Sequence, residues 1–289
     1  MGRLSIINIP LLAFLFLSSC GLNNTSDNQS IKNNNTGITK PNGTGTKNIV
    51  SDTTPPPDLL AAIPANYEKA GWLKSTETLA AAIPVMTPDP PDVMSSAKKT
   101  INSVERAISV VFGDITKEKV SAIVNAAKGS LQGGGGVDGA IHKAAGINGD
   151  GGKDLKAESA AYKVLHNITS FPIGKAMLTK SYGLAPKISY IIHTVGPQGA
   201  STPQKDLELY SAVYNSLRKA DECKLTSISI PAISTGIFGF PIDKATELFF
   251  KATLRFFADN PATSIVNVRF TNFDQKTVKK VAERFSSVF

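Results

Sequence analysis

The chain has 289 residues, 42% hydrophobic and 19% charged, enough for one sizeable domain with additional segments. The formal net charge is +8, but no arginine cluster or aromatic-basic interleaving accompanies it, so nucleic acid is not an expected partner. Three scattered histidines without acidic or cysteine partners at ligand spacing exclude a zinc site, and no cofactor is expected.

The N-terminus reads as a targeting segment. Arg3 gives a small positive region, and Ile6 to Leu17 is an apolar run too short to span a bilayer comfortably. It ends in Leu17-Ser18-Ser19-Cys20-Gly21, which resembles a bacterial lipobox. That likeness implies cleavage after residue 19, a palmitate-type lipid on Cys20, and an exported chain anchored to a bacterial membrane. With Cys20 lipidated, Cys223 is the other cysteine of the two, and no intrachain disulfide is expected. Residues 20–54 are rich in Asn, Thr, Ser and Gly and read as a disordered tether. Residues 55–105 contain Pro55-Pro56-Pro57 and read as a Pro-rich spacer with possible short helices. A segment around Trp72, from Tyr67 to Leu73, leaves a second reading open, a strap packed on the domain.

From about Arg106 strands and helices alternate. Ala107–Phe112, Ala122–Asn125, Ala176–Lys180, Ser189–Thr194, Ser227–Ala232 and Ser264–Thr271 read as strands. Asp138–Ala145, Asp154–His166, Pro203–Cys223, Asp243–Phe257 and Asp274–Phe285 read as helices. This order predicts an α/β fold with a mostly parallel sheet covered on both faces. Ligands of such sheets bind beyond the strand C-termini.

Two glycine-rich loops occupy that position. Gly133 to Gly136 follow the strand ending at Asn125 and precede Val137-Asp138 and a helix. Ser234-Thr235-Gly236-Ile237-Phe238-Gly239-Phe240 follow the strand that starts at Ser227. Bare N–H groups ahead of a helix N-terminus suit phosphate, and two such loops could clamp a diphosphate without metal. Gly134 to Gly139 formally match GxGxxG, but seven residues separate Asn125 from Gly133, so this is not the dinucleotide-binding turn. No Lys-Ser/Thr pair follows the glycines, so it is not a Walker loop either.

Gly113-Asp114-Ile115-Thr116, Ala122 to Ala127, Gly133 to Gly146, Ile192 to Pro197 and Ile233 to Pro241 together resemble the macro domain, over roughly residues 109–289. The likeness is to the MacroD-type branch of ADP-ribosyl hydrolases and O-acetyl-ADP-ribose deacetylases. It implies a three-layer α/β/α sandwich over residues 106–289 and ADP-ribose or ADP-ribosylated protein as partner, with the protein a monomer. It implies that Asp114 accepts from the adenine amine beside the Ile115 amide, and that Phe273 stacks near the base. It implies that Gly134, Gly135, Gly136 and Val137 hold the diphosphate together with Ser234, Thr235, Gly236, Ile237 and Phe238. Asn125 and Asp138 face the distal ribose, Asp138 orienting or activating a water, with Phe238 and Phe240 closing over that sugar.

One departure stands out. The branch carries N-A-A-N where this chain has Asn125-Ala126-Ala127-Lys128. Lysine only donates, and it brings charge on a flexible stem. Lys128 either turns to solvent and leaves a hydrolase, or pairs with Asp138 or the diphosphate and leaves a binding module. His142 and His193 read as packing residues.

Overall fold

The computed structural model describes residues 71–77 and 91–289; the signal, tether and lipidation site at Cys20 lie outside them. The strands are β1 (Leu73–Glu77), β2 (Asp92–Ile101), β3 (Val104–Phe112), β4 (Val120–Ala127), β5 (Ala176–Lys180), β6 (Ile188–Val195), β7 (Ser227–Ile230) and β8 (Asn267–Asn272). The helices are α1 (Gly136–Ala145), α2 (Lys153–Leu165), α3 (Pro203–Glu222), α4 (Ile242–Asp259) and α5 (Gln275–Val288). All eight strands form one mixed sheet in the order β1-β2-β3-β8-β7-β4-β6-β5. The five inner strands, β3 to β6 in that order, are parallel; β1, β2 and β5 run against their neighbours.

Strand alternation sorts side chains between two cores. On β4, Ala122 and Val124 join the large core that also buries residues of α3, α4 and α5. Ile123 points the other way, into a smaller core with Ile141 of α1 and Leu155 of α2. Ile192 and Ile191 of β6 divide in the same manner. Helices therefore cover both faces, which makes the predicted three layers. Local signals fix the helix starts. The Thr202 side chain accepts from the Lys205 N–H with Pro203 in the first turn of α3, and the Asp274 side chain accepts from the Thr277 N–H of α5.

The sheet begins upstream of Arg106, inside the stretch read as a spacer. β2 pairs with β3 from Asp92↔Phe112 to Ile101↔Val104, and β1 pairs with β2. The β2–β3 turn is Asn102-Ser103, both with positive φ, which matches the twist of a tight hairpin. Trp72, just ahead of β1, is buried against Phe257 and Phe289 at ring distances of 5.8 and 5.9 Å. The described part of that segment is a strap, built into the edge of the sheet. Cys223 stands at the C-cap of α3, partly buried against the main core. No helix among the described residues is long and apolar enough to cross a membrane.

Candidate functional site

Because β3, β8, β7, β4 and β6 are parallel, the segments after them emerge at one edge of the sheet. Asp114 follows β3, the first glycine loop follows β4, Gly196 follows β6, the second glycine loop follows β7, and Phe273 follows β8. β4 and β7 are neighbours, yet the chain leaves β4 toward β6 and leaves β7 toward β8. The two glycine loops thus flank the point where strand order reverses, which is where open α/β sheets hold ligands.

The first loop is braced upstream and open downstream. Leu131 is fully buried at φ +56°, the Gly129 carbonyl accepts from the Phe171 N–H at 2.8 Å, and the Ser130 carbonyl accepts from Lys163 Nζ at 2.8 Å. Gln132 Nε2 donates to the Lys156 carbonyl at 3.0 Å. Past Gln132 the glycines take over. Gly133 has φ +81° and Gly136 φ +59°, and Gly135 caps α1 without any side-chain bond, which leaves the first N–H groups of the helix open.

The second loop is held by its own carbonyls. Thr235 N–H donates to Ala232 O, Gly239 N–H to Gly236 O and Phe240 N–H to Ser234 O. Among the described residues the amides of Gly236, Ile237 and Phe238 make no such bond. Ser234 sits at φ +67°, a left-handed conformation costly for a residue with a Cβ, and its buried Oγ has no partner. Gly199 N–H donates to Phe238 O at 2.6 Å, and a Cβ on Gly196 would strike Ser234 Oγ, so the loop after β6 supports this one. The loops meet where Ile237 Cδ1 lies 3.2 Å from the place a Gly135 Cβ would occupy. Ile237 is 87% exposed and Phe238 half-buried. Phe240 is instead packed into the main core, 2% exposed, because the Phe240 N–H bond to Ser234 O turns the chain back under the loop. It does not face the site as the family likeness implied.

Asn125 and His193 are cross-strand neighbours on β4 and β6, on the α1 face, and both are fully buried. Asn125 Nδ2 donates to Asp138 Oδ1 at 2.8 Å and lies 3.1 Å from His193 Nδ1. His193 Nε2 is 3.0 Å from Thr179 Oγ1. One assignment satisfies all three contacts: the amide N–H groups serve Asp138 and His193 Nδ1, and Nε2–H donates to Thr179. Burial, with the charge of His142, lowers the His193 pKa to about 3 against an opposing pull from Asp138, so the ring is neutral and Nδ1 is an acceptor. His142 Nδ1 lies 2.9 Å from the Asp138 carbonyl oxygen and 3.1 Å from its Oδ1.

Asp138 is 4% exposed. Burial pushes its pKa up, but hydrogen bonds from His142 and Asn125 outweigh this, and the carboxyl stays below its ordinary range. Among the described residues its side-chain donors converge on Oδ1. Oδ2 faces the first loop, 2.9 Å from where a Gly134 Cβ would be. Two buried polar atoms, Asn125 Oδ1 and His142 Nε2, have no partner. The site thus offers unsatisfied polar atoms beside open amides, which suits a ligand with hydroxyl groups next to an anionic group. Among the described residues no group of three or more His, Cys, Asp or Glu could hold a metal.

At the other end of the cleft Asp114 Oδ1 accepts from Thr116 N–H (2.9 Å) and Oγ1 (2.8 Å), capping the short turn Ile115–Lys117. Oδ2 is left for another donor. Buried Glu118 locks this turn to β7 and β8, accepting from Arg269 Nε at 3.0 and 3.1 Å and from Ser229 and Thr271. Phe273, two residues past Thr271, is 56% exposed. Lys128 is exposed and forms no ion pair with Asp138 among the described residues. The sequence reading treated His193 as mere packing and did not single out Thr179. Only the pairing of β4, β6 and β5 reveals the contact of His193 with Asn125 and, behind it, of Thr179 with His193.

The structure also holds a shallow groove of about 450 Å³ lined by Lys119, Ser121, Pro186, Lys187 and Ser227. It lies at the N-terminal ends of the strands, away from both glycine loops, and contains none of the paired acceptors above.

The family description "Macro domain" matches residues 124–249. A Thermotoga maritima protein is 44% identical over 67% of this chain, although the chain spans only 31% of that protein's length. A Listeria monocytogenes macro domain-containing protein is 41% identical over 60% of this chain and 93% of its own. Among solved structures, an Oceanobacillus iheyensis macrodomain with ADP is 37% identical with TM-score 0.58, covering 67% of this chain and 96% of its own. A Trypanosoma brucei macrodomain in complex with ADP-ribose is 26% identical with TM-score 0.53, covering 81% and 92%. The chain belongs to the macro domain family.

Proposed function

We propose that this chain binds ADP-ribose at the edge formed by the two glycine loops and hydrolyses an ADP-ribosyl linkage or the acetyl ester of O-acetyl-ADP-ribose, in the manner of the MacroD-type branch. The observation that carries the reading is the acceptor pair of Asn125 and Asp138, buried beside the uncapped start of α1. The open amides of both loops take the diphosphate. Asn125 Oδ1 and Asp138 Oδ2 accept from distal ribose hydroxyls. Asp114 Oδ2 accepts from the adenine amine, and exposed Phe273 stacks on the base.

In hydrolysis, a water held by Asp138 Oδ2 attacks the distal sugar or its ester carbon. The bond to the acceptor group breaks, the acceptor leaves with its electron pair, and the water proton passes to it. A carboxyl held below its ordinary range is a weak base, so Asp138 orients the water more than it deprotonates it. The alternative reading, a binding module without turnover, is favoured by Lys128 standing where the branch has its second asparagine.

Calorimetry and single-turnover assays separate these outcomes. Native protein binds ADP-ribose, and Asp114→Ala weakens binding about ten-fold through loss of one charge-assisted hydrogen bond. Unchanged affinity would remove Asp114 from the adenine site. Native protein releases ADP-ribose from a mono-ADP-ribosylated protein, while Asp138→Asn binds and does not. Binding without release in the native chain would leave the module reading standing. We also propose that the domain is exported and lipid-anchored through Cys20. The mass of the mature N-terminal peptide tests this: a lipid-sized increment on Cys20 is expected, and an unmodified Cys20 overturns the anchoring.

A further inference from the structure

The rim of the first glycine loop is one-sidedly basic. From Lys128 to Gln132 the loop carries no acid, and Lys163 and Lys156 of α2 lie along it, the first through its bond to Ser130 O and the second through its carbonyl bond to Gln132. Two acids on and just before α2 are engaged, and the third, Asp154, is exposed in its first turn. Glu158 accepts from Tyr182 Oη at 2.8 Å and from the Lys180 N–H at 3.1 Å, and Asp150 accepts from the Gly152 N–H at 2.9 Å. Asp138 is buried and takes its donors from Asn125 and His142. Lys128 is therefore not needed to neutralise it. Yet the ammonium stands over the same glycine. Cε and Nζ of Lys128 lie 3.6 and 3.7 Å from the place of a Gly134 Cβ, and Asp138 Oδ2 lies 2.9 Å from that same point. Lys128 is exposed, whereas the Asp138 carboxylate beneath that glycine is buried.

We propose that Lys128 makes this chain select ADP-ribosylated acidic peptides, in which a carboxylate flanking the modified residue pairs with its ammonium. The inference rests on the nucleotide site described under Proposed function. Whatever is attached to the distal ribose must leave the cleft past Asp138 Oδ2, and Lys128 is the exposed cation against that exit. An asparagine there would offer both a donor and an acceptor to the sugar. Lysine offers a donor and a charge, and so moves recognition from sugar to leaving group.

The test uses two peptides carrying ADP-ribose through a non-hydrolysable linkage, one with Asp and Glu flanks and one with Ser and Gln flanks, and free ADP-ribose as reference. Fluorescence anisotropy with the native chain gives about three- to five-fold tighter binding of the acidic peptide at low salt, fading at high salt, as expected of one exposed ion pair. Lys128→Met and Lys128→Ala, which remove the charge without adding a group that could bond the sugar, abolish that preference and leave the affinity for free ADP-ribose unchanged. Equal affinities of the native chain for both peptides overturn the inference while leaving the nucleotide site intact. A loss of free ADP-ribose affinity in both variants also overturns it, making Lys128 a diphosphate contact. Failure of the native chain to bind free ADP-ribose overturns the nucleotide reading itself.

Discussion

Between pH 6.5 and pH 4 the native chain should lose about 3 kcal/mol of stability through His193 alone. The ring is fully buried and its pKa is held near 3, whereas in the unfolded chain it titrates near 6.5. Below 6.5 the unfolded state therefore binds a proton that the folded state refuses, and stability falls as pH falls until the folded pKa is reached. Asp138 works in the same direction at lower pH. Its folded pKa is depressed, so its contribution is present above the ordinary carboxylate pKa and is lost as pH drops through the folded value. Denaturant melts across this range should separate the two groups through His193→Gln. Glutamine does not titrate, and its amide can accept from Asn125 and donate to Thr179 as the neutral imidazole does. The variant should show a much flatter curve above pH 4. Parallel curves for variant and native would mean that His193 does not carry the proton linkage. The same substitution should keep ADP-ribose affinity, because it preserves the orientation of the Asn125 amide. His193→Phe should lose both.

The inner fold was legible because its signals are local. Apolar strands alternating with amphipathic helices set the layers, and the predicted limits of β5 coincide with the observed ones. β1 and β2 were missed for a physical reason. Asp92-Val93-Met94-Ser95-Ser96-Ala97-Lys98-Lys99 lacks the bulky β-branched run of an inner strand, and the hairpin turn is Asn102-Ser103 rather than an Asn-Gly signal. β2 instead gains its place through its register with β3 and through Trp72, whose contacts with Phe257 and Phe289 span most of the chain.

The candidate site divides along the same line. Glycine loops, Asp114 and Asp138 stand out in sequence because glycine runs and lone acids after strands are rare in plain packing. Phe240 does not stand out as core, since its inward turn depends on one bond to Ser234 O. His193 and Thr179 lie on adjacent strands far apart in sequence, and their link to Asn125 exists only once β4, β6 and β5 are paired. Sequence finds the groups that touch a ligand more readily than those that hold them.

Gly139→Ala should weaken ADP-ribose binding more than ten-fold with little loss of stability. Gly139 lies inside α1, where alanine is intrinsically favoured by about 1 kcal/mol. By that measure alone the substitution stabilises the helix. A Cβ on Gly139 would, however, sit 2.4 Å from the Gly134 carbonyl oxygen and 3.4 Å from its carbon, closer than real contacts allow. The obstacle is backbone, so no rotamer change relieves it. Either the glycine loop lifts or the first turn of α1 tilts. The loop is the softer partner, because its braces at Leu131 and Gln132 lie upstream and nothing caps Gly135. The helix gain and the loop strain then offset each other in the melting temperature. Binding has no such compensation. Gly134 lies against Asp138 Oδ2, and the amides that follow it must keep their spacing to the second loop. Calorimetry beside thermal melts decides the matter. Native-like affinity in Gly139→Ala would mean that the loop does not need the position seen here. Lost affinity with a melting temperature far below native would mean that α1, not the loop, had moved.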